Sequence, residues 1–329
     1  MSSRRTPKED VAMKRLSVLL VCCLLVFSCA SEVGQRTLPG GTPARCSPGV
    51  KYSFSFGSSG HLPGQLRSPS SISIDSFGNL LIADTGNNRV QKLDASGNFL
   101  MEFGGLGAGG AELDRPTDAV ENSLSIYVVD SMNERVLEYG SEGRFISVSL
   151  SREKMSGFDR GFGPRRLAFS GSGYVFLTDV EADAVVVLSG FWDPISVIGG
   201  FGSSEGRFSD PGGLVCTRGG EVLVCDAGNG RIQILDSLGN FVTSIPVCAG
   251  RVLCEPVDAD VGPDGSIYVV DRTGRRVLIF DSNRTFRCEI SDAGGRPFAS
   301  PCAIAVSSRG LIYVLDGGSD VVQVFETGK

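Results

Sequence analysis

Aspartates carry the most regular spacing in this chain. Asp84, Asp130, Asp179, Asp226, Asp271 and Asp316 lie 45 to 49 residues apart. Each follows a proline by 14 or 15 positions, the prolines being Pro69, Pro116, Pro164, Pro211, Pro256 and Pro301. In four cases an arginine stands five residues on, at Arg89, Arg135, Arg231 and Arg276. A carboxylate that accepts turn N–H groups and pairs with such an arginine would pin one chain connection. The same residues could instead form a ring of ligands. A binding site is usually asymmetric, however, whereas a scaffold feature recurs, so the Asp and Arg pairs are read as structural.

Departures from the repeat hold more chemical interest. The second residue after each proline is, in order, Ser71, Asp118, Arg166, Gly213, Asp258 and Ala303. Two acids and an arginine among small residues mark a candidate ligand site, and Asp118 with Asp258 could contribute oxygens to a Ca²⁺ shell. The competing reading is a salt-bridged or solvated rim. Residues 149–166 carry Arg152, Lys154, Arg160, Arg165 and Arg166 against Glu153 and Asp159. This local excess of positive charge suits an anion such as a carboxylate, a phosphate or an acidic glycan, or else it is a solvated loop. Phe191-Trp192-Asp193-Pro194 offers aromatics that either anchor a partner or fold back on the protein.

Other chemistries find little support. The chain has one histidine, His61, and none of the serine-elbow, zinc-helix, phosphate-loop or dinucleotide fingerprints in a plausible context. A formal net charge of −6 opposes a dominating nucleic-acid-binding field.

The elements that must position these residues follow from the repeat. Each unit has a short apolar stretch, a glycine turn, and a second apolar run such as Ile267-Tyr-Val-Val270. A polar turn then leads to a third run such as Val277-Leu-Ile-Phe280, and a fourth segment ends in glycine. Apolar residues at successive positions mean that both sheet faces are buried. Four-stranded sheets stacked around an axis achieve this and close on themselves. The expected fold is therefore all-β, a six-bladed β-propeller of four-stranded antiparallel blades. Asp118 and Asp258, in the second and fifth units, then face each other across the axis, with Arg166 between them in the ring. The sixth unit stops at its third strand, while Tyr52-Ser-Phe-Ser-Phe56-Gly57 has the pattern of the fourth strand Phe99-Leu-Met-Glu-Phe103-Gly104. The amino-terminal strand is expected to close the last blade.

Asp84-Thr-Gly-Asn-Asn-Arg89-Val90, Asp130-Ser-Met-Asn-Glu-Arg135-Val136 and Asp226-Ala-Gly-Asn-Gly-Arg231-Ile232 resemble the repeat signature of the NHL family over about residues 51–329. The third unit departs, having Ala184 where the arginine would stand; the sixth has Val321 there, and the fifth has Gly274 in place of asparagine. The resemblance implies the propeller fold and places function at the axis and on the face carrying the fourth-to-first and second-to-third strand connections. It does not select a function. Some propellers that resemble this one are lyases with metal on several histidines, which His61 alone cannot supply.

Residues 16–27 form an apolar run behind Lys14-Arg15, too short to span a bilayer comfortably, and read as the core of a signal peptide with residues 1–28 removed. Glu9 and Asp10 are unusual ahead of such a core, and Met13 is a better start. Val26-Phe-Ser-Cys29 resembles a bacterial lipobox, which would make Cys29 a lipidated first residue; Ser28-Cys29-Ala30 also permits ordinary secretion. From Cys29 onward 26 basic residues face 35 acidic ones, a net −9. Residues 29–50 read as a tether and 51–329 as one propeller domain.

Cys248 and Cys254 bracket one connection and are the expected disulfide of an oxidising compartment. Cys216 and Cys225 share a hairpin but lie ~13 Å out of register, so they are expected to be separate thiols. Cys46, Cys288 and Cys302 are left unassigned. The expectation for function is a non-enzymatic binding or scaffold protein of the bacterial cell envelope, lipid-anchored or secreted. Its partner would be a protein, peptide or glycan, and its membrane contact would be the lipid alone, with no nucleic acid. The alternative is a metal-dependent, lactonase-like hydrolase using Asp118 and Asp258.

Overall fold

The computed structural model describes residues 49–157, 161–247 and 254–327. Six four-stranded antiparallel sheets make the blades of a β-propeller. The innermost strands of blades one to six are Ser71–Ile74, Pro116–Asn122, Pro164–Phe169, Pro211–Cys216, Pro256–Val261 and Pro301–Val306. In blades one to five the next three strands follow in chain order, each paired with its predecessor. Blade six takes its outermost strand from the amino-terminal side: Val50–Phe56 pairs with Val321–Thr327, from Val50 opposite Thr327 to Phe56 opposite Val322. One feature has no counterpart in the repeat, a small hairpin of Asp292–Ala293 and Arg296–Pro297 ahead of blade six.

The unbroken apolar runs have the physical consequence expected of them. In Leu80–Asp84, Val175–Asp179 and Ile267–Asp271 every residue is buried, because each sheet face meets another blade. The core among the described residues accordingly divides into six clusters, one at each blade interface. That between blades six and one packs Tyr313, Leu315 and Val324 against Ile72, Leu80 and Ile82, with Phe54 and Phe56 beside them. Closure through Val50–Phe56 thus completes the sheet and supports the seam.

The recurring aspartates sit where each inner hairpin meets the strand connection arriving from the preceding blade. Asp226 Oδ1 accepts the Ser209 N–H at 2.8 Å, while Oδ2 accepts Arg231 Nε at 2.7 Å and Gln233 Nε2 at 3.0 Å. Arg231 then donates to the carbonyls of Ser204 and Arg207, at 2.7 and 2.9 Å. Asp84 with Arg89 and Asp130 with Arg135 repeat this arrangement, and Arg276 pairs with Asp271 in blade five. Blades three and six lack the arginine and substitute backbone. Asp179 accepts the N–H groups of Gly163, Glu181 and Ala182, and Asp316 those of Ala299, Ser300 and Gly318.

Asp226 is fully buried, so its removal takes one acceptor from the Arg231 guanidinium and from the Gln233 and Asn229 amides, and leaves the Ser209 N–H without its carboxylate. Asp226→Ala is expected to cost about 3–5 kcal/mol, read from the midpoint of urea unfolding. A midpoint unchanged from the parent would mean that the connection holds without its carboxylate.

Candidate functional site

All six innermost strands line one cavity of about 410 Å³ along the propeller axis. Asp118, Arg166 and Asp258, at matching positions in blades two, three and five, share it. Their roles differ. Arg166 crosses the channel: its guanidinium donates to the carbonyls of Thr117 in blade two and Ser70 in blade one. Those acceptors begin their strands, so the arginine stoppers the channel at the end where the innermost strands enter. The lining runs from the Asp118 level to Asn122, Phe169, Cys216 and Val306, where those strands leave. The site therefore lies below the stopper, toward the opposite face from the fourth-to-first connections. Sequence position cannot show this, because it does not reveal which way an arginine side chain reaches.

Each channel carboxyl is aimed by backbone of the next blade. Asp118 Oδ2 accepts the Leu167 N–H at 2.9 Å, and Asp258 Oδ2 accepts that of Ile304 at 2.9 Å. Gly213 makes room for Asp258: a Cβ there would lie 2.0 Å from its Oδ1. Asp118 and Arg166 approach to 4.0 Å. Burial pushes Asp118 above the usual carboxylate range, with Arg166 opposing it. Burial likewise pushes Asp258 up to about 7, the Arg166 charge lowering it and Asp118 and Asp260 raising it.

Asp260 was not among the candidates from sequence, yet it lines the same cavity and is pushed by burial up to about 6. Its carboxylate accepts the Val306 and Val261 N–H groups, each at 2.7 Å. The signal was present: Asp258 and Asp260 are two apart on a strand and so share its inward face. Glu121, at the rim, is held by the Ser76 hydroxyl and N–H. Among the described residues no three His, Cys, Asp or Glu side chains converge as metal ligands.

The other candidates do not join this cavity. Arg165 pairs with Asp210 at 2.7 Å, Arg152 pairs with Glu134, and Lys154 donates to the Ser149 carbonyl at 2.9 Å. Arg152, Lys154 and Arg165 are thus held on separate partners; Arg160 lies outside the described residues. Trp192 is buried, 7% exposed, and packs on Tyr127 of blade two and on Phe169, at ring distances of 5.0 and 5.9 Å. It folds back and is not a partner anchor; its neighbour Phe191 is the exposed aromatic. Cys216, Cys225 and Cys302 are free thiols. Cys248 and Cys29 lie outside the described residues, as do Cys46 and the whole of residues 1–48.

Residues 66–93 and 208–235, spanning the inner hairpins of blades one and four, match the NHL repeat model. These two segments are similar to the NHL repeat. The chain's relatives share pieces of this propeller. Protein brain tumor of Drosophila melanogaster is 32% identical over 98 residues, 29% of this chain and 10% of that protein, so this chain spans about a tenth of the relative's length. A Bacteroides thetaiotaomicron protein of unknown function superimposes with a TM-score of 0.65 at 13% identity, over 85% of this chain and 76% of that one. Virginiamycin B lyase of Staphylococcus aureus, solved with quinupristin, gives 0.56 at 13% identity, over 78% and 80%. At such identities the likeness is one of fold, and the chemistry of this propeller has to be argued from its own channel.

Proposed function

We propose that this NHL propeller is a non-enzymatic binding protein, held outside the cytoplasmic membrane by a lipid on Cys29, that engages a protein, peptide or glycan partner through its channel cavity. The observation that carries the reading is the cavity itself. It is about 410 Å³ in volume, built by all six blades, and departs from their symmetry through Asp118, Arg166, Asp258 and Asp260. Concave sites with a few converging polar groups are where ligands bind. The basic flank, apolar run and Cys29 support the address. The absence of a nucleophile–base pair from the motifs of the sequence supports binding without turnover.

A photo-crosslinking amino acid at Asn122, on the cavity rim, tests the reading in intact cells. A discrete adduct that disappears in the Asp118→Asn, Asp258→Asn double variant is expected; no adduct at any dose of light would overturn it. The address has its own test. Cys29→Ala, or globomycin, is expected to accumulate unprocessed precursor, with the parent protein fractionating with membranes. Soluble mature protein beginning at Ser31 would reject the anchor. The rival hydrolase rests on Asp118 and Asp258 as well, and would reveal itself as lactone hydrolysis that needs a divalent cation and is lost in the same double variant.

A further inference from the structure

Among the described residues Cys216, Cys225 and Cys302 are free thiols, whereas Cys254 and Cys288 are each held in a disulfide. These two are not joined to each other. Cys254 stands two residues ahead of the innermost strand of blade five, Pro256–Val261, while Cys288 lies on its outermost strand, Phe286–Ile290. Three strand spacings of ~4.8 Å set them ~14 Å apart, against the ~7 Å limit between the Cα atoms of a bridge. They also pack on opposite faces of the blade, Cys254 in the core shared with blade four and Cys288 in the core shared with blade six. Two separate bridges are therefore required, each completed by a cysteine outside the described residues.

Local geometry divides the partners. The Val247 N–H donates to the Gly230 carbonyl at 3.2 Å, and Cys254 Sγ lies 3.7 Å from the same oxygen. Cys248 follows Val247 directly, so the chain delivers it to Cys254, the pair expected from sequence. Cys288 is left, on the other face of blade five. There it shares a core with the closing strand: Val50 packs on the same cluster, and Tyr52 meets Phe325 of that cluster at 5.9 Å. A bulge between Tyr52 and Phe54 turns the rest of the strand the other way, so that Phe54 and Phe56 serve the core shared with blade one. Cys46 precedes Val50 by four residues, a reach of up to ~14 Å, whereas Cys22, Cys23 and Cys29 stand at least 21 residues ahead. We infer that Cys46 and Cys288 form a disulfide that fastens the closing strand of blade six to blade five. The bond arises by exchange with an oxidant of the disulfide class. One thiolate attacks the oxidant's S–S bond, the second displaces the mixed disulfide, and the two electrons and two protons given up leave with the oxidant as a dithiol. The bridge spans 242 positions of chain, so it restricts the unfolded chain strongly and holds a strand that sheet pairing alone would otherwise retain. The inference is independent of the binding reading and of the lipid, and needs only a compartment that oxidises thiols.

Peptide mapping of the full protein tests it. Cells are lysed in denaturant with iodoacetamide, and the purified chain is digested with trypsin without reduction. The expected product joins residues 46–51 to residues 288–309, with Cys302 in the second peptide alkylated; reduction should separate the two. Alkylated Cys46 and Cys288 in the unreduced digest, or Cys288 joined to any other cysteine, would overturn the inference. A second measurement asks whether the bond carries the closure. Cys46→Ser, Cys288→Ser and the double variant are each expected to melt about 5–10 °C below the parent, the double no lower than either single, because one bond is lost in all three. A reductant should lower the parent by a similar amount and leave the double variant where it is. Losses that add in the double variant, or a parent that melts alike with and without reductant, would count against the bridge. Recovery of soluble protein beginning at Ser31 would remove the lipid and leave this result standing.

Discussion

A mature chain beginning at Ser58 is expected to lose most of the stability that one beginning at Gly49 retains. The strand Val50–Phe56 supplies the fourth strand of blade six, so deleting it bares the edge of Val321–Thr327. It also removes Phe54 and Phe56 from the cluster between blades six and one and Tyr52 from its edge-on contact with Phe325 at 5.9 Å. Three aromatic side chains at ~1.5–3 kcal/mol each, when fully buried, set an upper bound near 9 kcal/mol; partial exposure brings this to about 4–6. The loss of backbone pairing comes on top, and a bared edge invites association. Since whole-domain stability is typically ~5–15 kcal/mol, the shorter chain should be largely unfolded or aggregated at 37 °C. Circular dichroism and sedimentation check this, and Phe54→Asp together with Phe56→Asp should reproduce much of the effect without changing chain length. Matching melting temperatures for the two truncations would mean that blade six stands on three strands.

The legibility of the fold came from its repetition. Six proline-to-aspartate units, each with apolar runs too long to be one-sided, leave little choice but stacked sheets around an axis, and the orphan fourth strand at Tyr52 finds its place by the same pattern. What repetition could not reveal is whatever occurs once. The hairpin at Asp292–Ala293 and Arg296–Pro297 is flagged only by Gly294-Gly295, a turn signal that a repeat-based reading passes over as a linker. The turn position of Trp192 leaves open whether it anchors a partner or folds back. Its burial depends on Tyr127, 65 residues earlier in the chain, a contact that no local pattern announces.

The site was half legible for the same reason. Comparing equivalent positions picks out Asp118, Arg166 and Asp258 as asymmetric, and the structure sets all three on one cavity. Comparison does not say that Arg166 reaches over two blades to close one end, nor that backbone N–H groups of the next blade aim the acids inward. Both follow from side-chain direction in the closed ring. Gly213 belongs to the site in a way visible only in three dimensions: its missing Cβ is the space that Asp258 occupies.

Asp258→Asn should make the protein more stable at pH 8 and much less so at pH 5. Burial lifts the Asp258 carboxyl from 3.8 to about 7, and Arg166, which pulls it down, is outweighed. The titratable and charged groups that face it are Arg166, Asp118, Asp260 and the thiols of Cys225 and Cys302. Between its unfolded value of 3.8 and its folded value of about 7, the native protein holds a proton that the unfolded chain has released. Stability must therefore fall as pH rises through that window. The effect is absent below 3.8 and complete above about 7, the reverse of a salt-bridged aspartate. Asparagine keeps the size and the oxygen that accepts the Ile304 N–H, yet carries no charge at any pH. The advantage of the variant over the parent should grow by about 3 kcal/mol from pH 5 to pH 8, or roughly 6–12 °C in melting temperature for a domain of this size. Asp260→Asn, lifted to about 6, should show a smaller gain that is complete at a lower pH. The measurement is a set of thermal melts from pH 4 to 9 on parent and variants. An advantage that stays constant across that range would show that Asp258 is ionised throughout, with Arg166 compensating its charge.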